Sequence, residues 1–257
     1  MRAACTLAAG VLASAGGAWA DEAASVTPYR PSVSTPAALS APGWLEVEAG
    51  WQHSRADDPR RRDSLPYTLK LAFTPDWGVR IGGDAWVREA TADGSRLSGG
   101  GDTSLVLKRR FAVDDASAFG LELGAKLPTA RHGLGSGHAD WGVNGIYSAD
   151  LGGGRWHTDL NLNATRLGGP LDDGVSRWQQ GWAASLSRSL TDPWGVTGEL
   201  SGTRQRGSEN TSQLLVAASY ALSRRIALDA GVSKGLNRAS GDWSVFTGVT
   251  FLAWRIF

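Results

Sequence analysis

Beyond Met1 and Cys5 the 257-residue chain contains neither methionine nor cysteine. With its one thiol so close to the start, the chain has no disulfide framework and no cysteine-built metal site. No apolar run approaches the eighteen or so residues of a membrane helix, so a form that spans a membrane would have to be a β-barrel. An excess of one charge is missing as well, since 26 Lys and Arg stand against 25 Asp and Glu. Without a basic face, nucleic acid is not an expected partner. No motif calls for a cofactor, and none is expected.

Glycine and tryptophan, by contrast, are plentiful, at 34 and 12 residues. Residues 1–20, MRAACTLAAGVLASAGGAWA, combine Arg2, an apolar middle and the small-x-small frame Ala18-Trp19-Ala20 before Asp21. This reads as a secretory signal peptide. Its removal takes away Cys5 and one basic residue, so the remaining chain is balanced in charge. No cysteine follows the cleavage frame, as a lipoprotein would require. Residues 21–42 are rich in Pro, Ser and Ala without periodicity, which predicts a flexible periplasmic tail or a plug in a lumen.

From residue 43 to 257 the pattern is regular. In Gly101–Asp140, Leu105 and Leu107 alternate with Ser104, Lys108 and Arg110; after an acidic turn, Phe119, Leu121, Leu123, Ala125 and Leu127 alternate with Gly120, Glu122, Gly124 and Lys126. Period-two alternation broken by a tight turn predicts a β-hairpin. The unit recurs to the last residue, predicting strands at 44–54, 65–74, 79–89, 102–112, 118–127, 141–150, 155–166, 177–188, 194–205, 213–222, 226–235 and 243–257. Long polar loops alternate with short turns, as in outer-membrane barrels. The fold class expected is therefore all-β: a transmembrane antiparallel up-and-down barrel of about twelve strands.

Tryptophans sort by topology. Trp44, Trp77, Trp156, Trp194 and Trp254 fall at the short-turn ends, and Trp51, Trp141, Trp178 and Trp243 at the long-loop ends, as two interfacial belts would require. Charges sort by phase. A Lys or Arg facing lipid at the midplane costs about 2–4 kcal/mol, so the charged phase is assigned to the lumen. The expected lumen-lining residues are Lys70, Arg80, Asp84, Asp102, Lys108, Glu122, Lys126, Asp159, Glu199 and Asp229. Arg109, Arg166, Arg188, Arg204 and Lys234 lie on the apolar phase near strand ends, where long side chains reach headgroups. Tight turns at Pro75–Gly78 and Val113–Ser117 predict Lys70 opposite Asp84, Lys108 opposite Glu122, and Lys126 diagonal to Asp102.

The terminal strand, VFTGVTFLAWRIF, ends on Phe257 and resembles the last strand of bacterial outer-membrane barrels, which implies that Phe257 is an assembly signal read by the barrel-assembly machinery. The motifs GD-x-x-L-x-x-K at Gly101–Lys108, AKLPT at Ala125–Thr129, the following G-x-G loop and Asp140, with the earlier LPYTLKLAFTPDWGVRIGGDAW, resemble a family of outer-membrane barrels labelled as transporters of the MetA pathway of phenol degradation. The resemblance extends over residues 44–257. It implies an outer-membrane barrel for uptake or export of small molecules, aromatic or hydrophobic compounds among them; an enzymatic role is not expected.

Other clusters read as ordinary surface. Gly133–Gly137 (GLGSG) precedes a strand and not the helix that phosphate binding needs. His132 and His138 share a loop with Asp140, and a solvated loop is preferred over a metal site. His53 with Ser54, Asp57 and Asp58 is the one cluster comparable to an outer-membrane hydrolase. Arg60–Arg62, balanced by Asp57, Asp58 and Asp63, is a solvated loop tip or a clamp for lipopolysaccharide phosphate. The function expected is a passive channel for small molecules in the bacterial outer membrane, with membrane lipid and lipopolysaccharide as partners. The alternatives are an outer-membrane enzyme acting on lipid or peptide, and a structural or surface barrel with a closed lumen.

Overall fold

Each strand of this chain has one apolar and one polar face, and closing the sheet on itself places the first outside and the second inside. The computed structural model describes residues 24–57, 59–91 and 93–257; the expected signal peptide, residues 1–20, and Asp58 lie outside them. The strands are β1 (Trp44–Arg55), β2 (Arg61–Ala72), β3 (Trp77–Ala90), β4 (Arg96–Gly99), β5 (Thr103–Ala112), β6 (Ser117–Leu127), β7 (Asp140–Leu151), β8 (Trp156–Arg166), β9 (Trp178–Ser189), β10 (Trp194–Gln205), β11 (Thr211–Ser223), β12 (Ile226–Gly235) and β13 (Trp243–Arg255). All pairings are antiparallel, each between sequence neighbours except β3 with β5 and the closing pair, in which β1 meets β13 from Trp44↔Arg255 to Arg55↔Trp243. The result is a closed twelve-strand barrel with one extra strand.

The extra strand is β4, in a stretch expected to be loop. The lower part of β3 pairs with β5 only as far as Gly83↔Thr103, and its upper part, Val87–Ala90, pairs with β4 instead. A strand that overshoots the rim needs partners for its N–H and C=O groups, and β4 supplies them. Strand β2 also begins at Arg61, earlier than its alternation indicated, so Arg61 and Arg62 belong to the wall and not to a loop tip.

The short turns set the register, and one differs from expectation. Lys70 lies opposite Arg80, while Asp84 lies opposite Pro66. The turn closes around Phe73–Asp76: the N–H groups of Phe73 and Thr74 donate to Trp77 O at 2.8 and 3.3 Å, and Thr74 Oγ1 accepts from the N–H groups of Asp76 and Trp77. Moving the turn shifts the partner of Lys70 from Asp84 to Arg80, an even number of positions, so the faces are unchanged. In the next hairpin Lys108 lies opposite Glu122. Its turn is held by Asp114, whose carboxylate accepts from Ser117 Oγ and the Ala116 N–H, bonds that keep it below the usual carboxylate range.

The outer face carries exposed Leu105, Leu107, Leu121, Leu123, Leu160, Leu186 and Leu200. At the short-turn rim Arg109 lies over Trp77 and Phe111 at 4.9 and 4.6 Å, and Arg188 over Trp156 at 4.9 Å. At the long-loop rim Trp141 and Trp178 meet edge to face at 5.2 Å.

Candidate functional site: the lumen and its occupying segment

The segment Ala24–Pro42 has hydrogen-bond partners on nearly every side of the barrel. Thr27 N–H donates to Glu46 on β1 at 3.0 Å and Tyr29 N–H to Glu48 at 2.7 Å. Arg30 forks onto Asp229 on β12, and the Val33 and Ser34 N–H groups donate to Glu199 on β10 at 3.1 and 2.8 Å. Thr35 N–H donates to Asn161 on β8 at 3.0 Å and Ala37 N–H to Ser148 on β7 at 2.7 Å. Lys108 on β5 donates to Pro36 O, and Lys70 on β2 to Thr27 O at 2.7 Å. A peptide in contact with strands all round the sheet can only run inside it.

Its path is a loop. Val26 N–H donates to Arg224 O in a short turn, and Gly43 N–H to Ala72 O at the short-turn end of β2. Between these points the chain rises into the lumen and returns. Ala37 packs on Ala118 and Ile146; a Cβ on Gly120 would lie 3.3 Å from Ala37 Cα, so that glycine lets the two backbones approach.

The wall at this level is charged, and each charge has a partner. Lys70, with Glu46 directly opposite in the β1–β2 register, bonds Glu46 and Glu48 at 2.7 and 2.5 Å. This compensates the like charge of Arg80 facing it, an arrangement that would otherwise destabilise the pair. Arg80 and Lys108 approach Glu122 at 3.5 and 3.4 Å. The Tyr29 ring lies among these cations, with Lys70 Nζ 3.9 Å and Lys108 Nζ 4.3 Å from its centroid; its hydroxyl accepts from Lys108 and donates to Ala38 O. Cation–π contacts of desolvated groups contribute up to about 2 kcal/mol. Asp159 accepts from Ser148 Oγ at 2.5 Å and approaches His157 Nε2 at 3.1 Å.

On the long-loop side a second group gathers. Lys126 bridges Asp102 and Asp140 at 3.2 and 2.9 Å. Arg62 bonds Asp84 at 2.7 Å and also Glu89. The ten residues assigned to the lumen thus divide into two sets. Lys70, Arg80, Lys108, Glu122, Asp159, Glu199 and Asp229 surround the segment, and Asp84, Asp102 and Lys126 lie nearer the long-loop mouth. The sequence reading missed Glu46 and Glu48, although both alternate with Leu45, Val47 and Ala49; it also missed Tyr29 and Arg30, which carry no periodic signal.

Two cavities flank the segment. A cavity of about 680 Å³ opens at the long-loop mouth, with Val33 and Thr35 in its floor and Asn144, Asn161, Asn163, Ser201 and Gln213 in its wall. A cavity of about 550 Å³ on the short-turn side is lined by residues 25–32, Ser34, Pro36 and Ala38 of the segment and by the ends of β8–β12. Val33 and Thr35 line the first cavity and Ser32, Ser34 and Pro36 the second, so this stretch of the segment lies between them.

Elsewhere the clusters differ from their expected partners. His53 bonds Asp63 across β1–β2 at 2.8 Å and rests against Trp51 and Trp243. Its neighbour Ser54 faces the opposite side of the strand and donates to Arg62 O, so the two form no catalytic pair. Asp140 is taken by Lys126 and the Gly168 N–H. Among the described residues no group of three or more His, Cys, Asp or Glu could hold a metal ion. Phe257 lies beside Gly43 at the seam where β13 meets β1, its carbonyl accepting from Arg255 Nε at 2.9 Å.

No protein-family model and no curated protein matches the chain. Solved structures do. It is similar to an outer membrane channel from Pseudomonas putida F1, at 15% identity and a TM-score of 0.65 over 84% of this chain and 97% of that one. It is also similar to the NanC porin, at 8% identity and a TM-score of 0.58 over 81% of this chain and 100% of that one, and to the CymD monoaromatic hydrocarbon channel, at 10% and 0.53 over 84% and 90%. At these identities the likeness establishes the fold, and it is the fold of outer-membrane channel porins.

Proposed function

We propose that this protein is a passive channel for small molecules in the bacterial outer membrane, closed in the present state by its own N-terminal segment. The observation that carries this reading is the pair of cavities, one toward each mouth, with a stretch of peptide that is not part of the barrel wall between them. In this reading residues 1–20 direct secretion, residues 21–42 are the plug, and residues 43–257 are the barrel. The long-loop mouth is extracellular and the short turns are periplasmic. The ten charged residues assigned to the lumen line the solute path, with Asp102 and Lys126 near its outer mouth.

The finer reading, passage of aromatic or hydrophobic compounds as in the MetA-pathway family, is supported by the sequence resemblance and by the hydrocarbon channel among the similar structures. Membrane lipid and lipopolysaccharide are the surroundings this reading requires. Phe257, next to the closing seam, would serve as the signal to the barrel-assembly machinery. Phe257→Ala is expected to lower the amount of inserted barrel while secretion continues, measured by the heat-sensitive mobility of membrane fractions; unchanged insertion would remove that role.

Planar-bilayer recording tests the channel. The chain lacking residues 21–42 is expected to conduct steadily, and the mature chain to be closed for most of the record. If the shortened barrel conducts no better than the bare bilayer, a closed structural barrel is the better description.

A further inference from the structure

The seat of Arg30 is shaped for its occupant. Its guanidinium forks onto Asp229, Nε to Oδ2 at 3.1 Å and Nη2 to Oδ1 at 3.0 Å. Beside it Gly50 and Gly248 face each other across β1 and β13, and Gly248 faces Asp229 across β13 and β12. These three residues form a row over three adjacent strands. A Cβ on Gly50 would come within 2.8 Å of Arg30 Cζ, and one on Gly248 within 2.4 Å of Arg30 Nε. Glycine within a strand weakens it. Two of them directly paired leave a flat floor on which a planar cation lies, its edge on a carboxylate.

The charge of the surrounding wall has the same preference. Without the segment, the carboxylates of Glu46, Glu48, Glu122, Asp159, Glu199 and Asp229 outnumber the cations of Lys70, Arg80 and Lys108. The segment offsets part of this excess with Arg30 and with main-chain N–H groups. A solute replacing it would meet an acidic wall containing one preformed fork.

We propose that Asp229, Gly50 and Gly248 form a guanidinium-binding station on the solute path, occupied in the closed state by Arg30, and that the path favours small cations bearing this group. The proposal rests on the channel reading for its place in a path, but the station itself is testable as a binding site. Full-length Arg30→Ala in detergent, titrated calorimetrically with guanidinium chloride against sodium chloride of equal ionic strength, is expected to bind saturably. The unsubstituted chain, its seat filled, is expected not to. Adding Asp229→Asn or Gly248→Ala to Arg30→Ala should weaken binding about tenfold or more, by removing the charge-assisted fork or filling the floor. Equal titrations of Arg30→Ala and the unsubstituted chain overturn the station.

Should Arg30→Ala not insert, Arg30→Lys keeps the charge but lacks the fork. Guanidinium is then expected to bind by displacing the ammonium, and no binding overturns the proposal. Bilayer recordings of the same variants separate the two readings. A variant that conducts but does not bind guanidinium defeats the station alone; binding without conduction in any variant upholds the station and defeats the channel.

Discussion

The two halves of the lumen are built from the same strands and the same alternation, yet the segment packs around the charges of one and leaves those of the other beside open space. On the short-turn side Lys70 is sealed between Glu46 and Glu48, with side-chain exposure of 3% or less for all three. On the long-loop side Lys126 also lies between two carboxylates, but its side chain is 29% exposed to the cavity. Both arrangements neutralise charge, and they differ in what replaces water. Around Lys70 the replacement is peptide: Tyr29 on one side and Thr27 O on the other. A charge enclosed by peptide has to be paired by the protein itself, whereas one beside an open cavity can use solvent.

That contrast is open to direct test, beginning with its sealed side. Lys70→Ala leaves Glu46 and Glu48, side by side on β1, without a cation, and the expected cost is about 3–5 kcal/mol. It would be read as a lowered midpoint in urea unfolding of the detergent-solubilised barrel. A loss no larger than that of Lys126→Ala would erase the distinction between the halves.

Next in size is a change in the segment itself. Ser34→Ala removes the hydroxyl that donates to Glu199 at 2.8 Å and keeps the main-chain bond, a loss of about 1 kcal/mol. The expected result is a several-fold rise in the open fraction of bilayer recordings. The one cysteine, Cys5, lies in the expected signal peptide, so with that segment removed Val33→Cys, alone or with Ser34→Ala, offers a single thiol in the cavity floor. Its reaction with a membrane-impermeant reagent is expected to be faster in the double variant, and equal rates would show that the Glu199 contact does not hold the segment.

The smallest effect belongs to the open side. Lys126→Ala breaks partly solvated bonds to Asp102 and Asp140, and its cost is expected to be under about 1 kcal/mol. Its consequence should appear in the ion preference at the long-loop mouth, read as a reversal potential shifted toward cation selectivity. An unshifted potential would place these charges off the conducting path.

By itself the sequence determined whatever depends on neighbours along the chain. Period-two alternation assigned Leu105 and Leu107 to one face and Lys108 to the other, and short turns alternating with long loops gave an even-stranded barrel with both ends on one side. Lys108 opposite Glu122 followed from a turn whose residues fix their own geometry. Lys70 did not follow in the same way, since Thr74 capping its turn moved the hairpin and exchanged Asp84 for Arg80. Strand β4 was invisible because its short Ser- and Gly-containing stretch acquires strand geometry only from the overshoot of β3. Residues 24–42 show the limit most clearly. They have no period, and their position is decided by Glu46, Glu48, Glu199, Asp229, Asn161 and Ser148 on five different strands. Carboxylates enclosed within a barrel require donors, and which donors reach them is a property of the closed tertiary structure, because only closure brings those strands around one peptide.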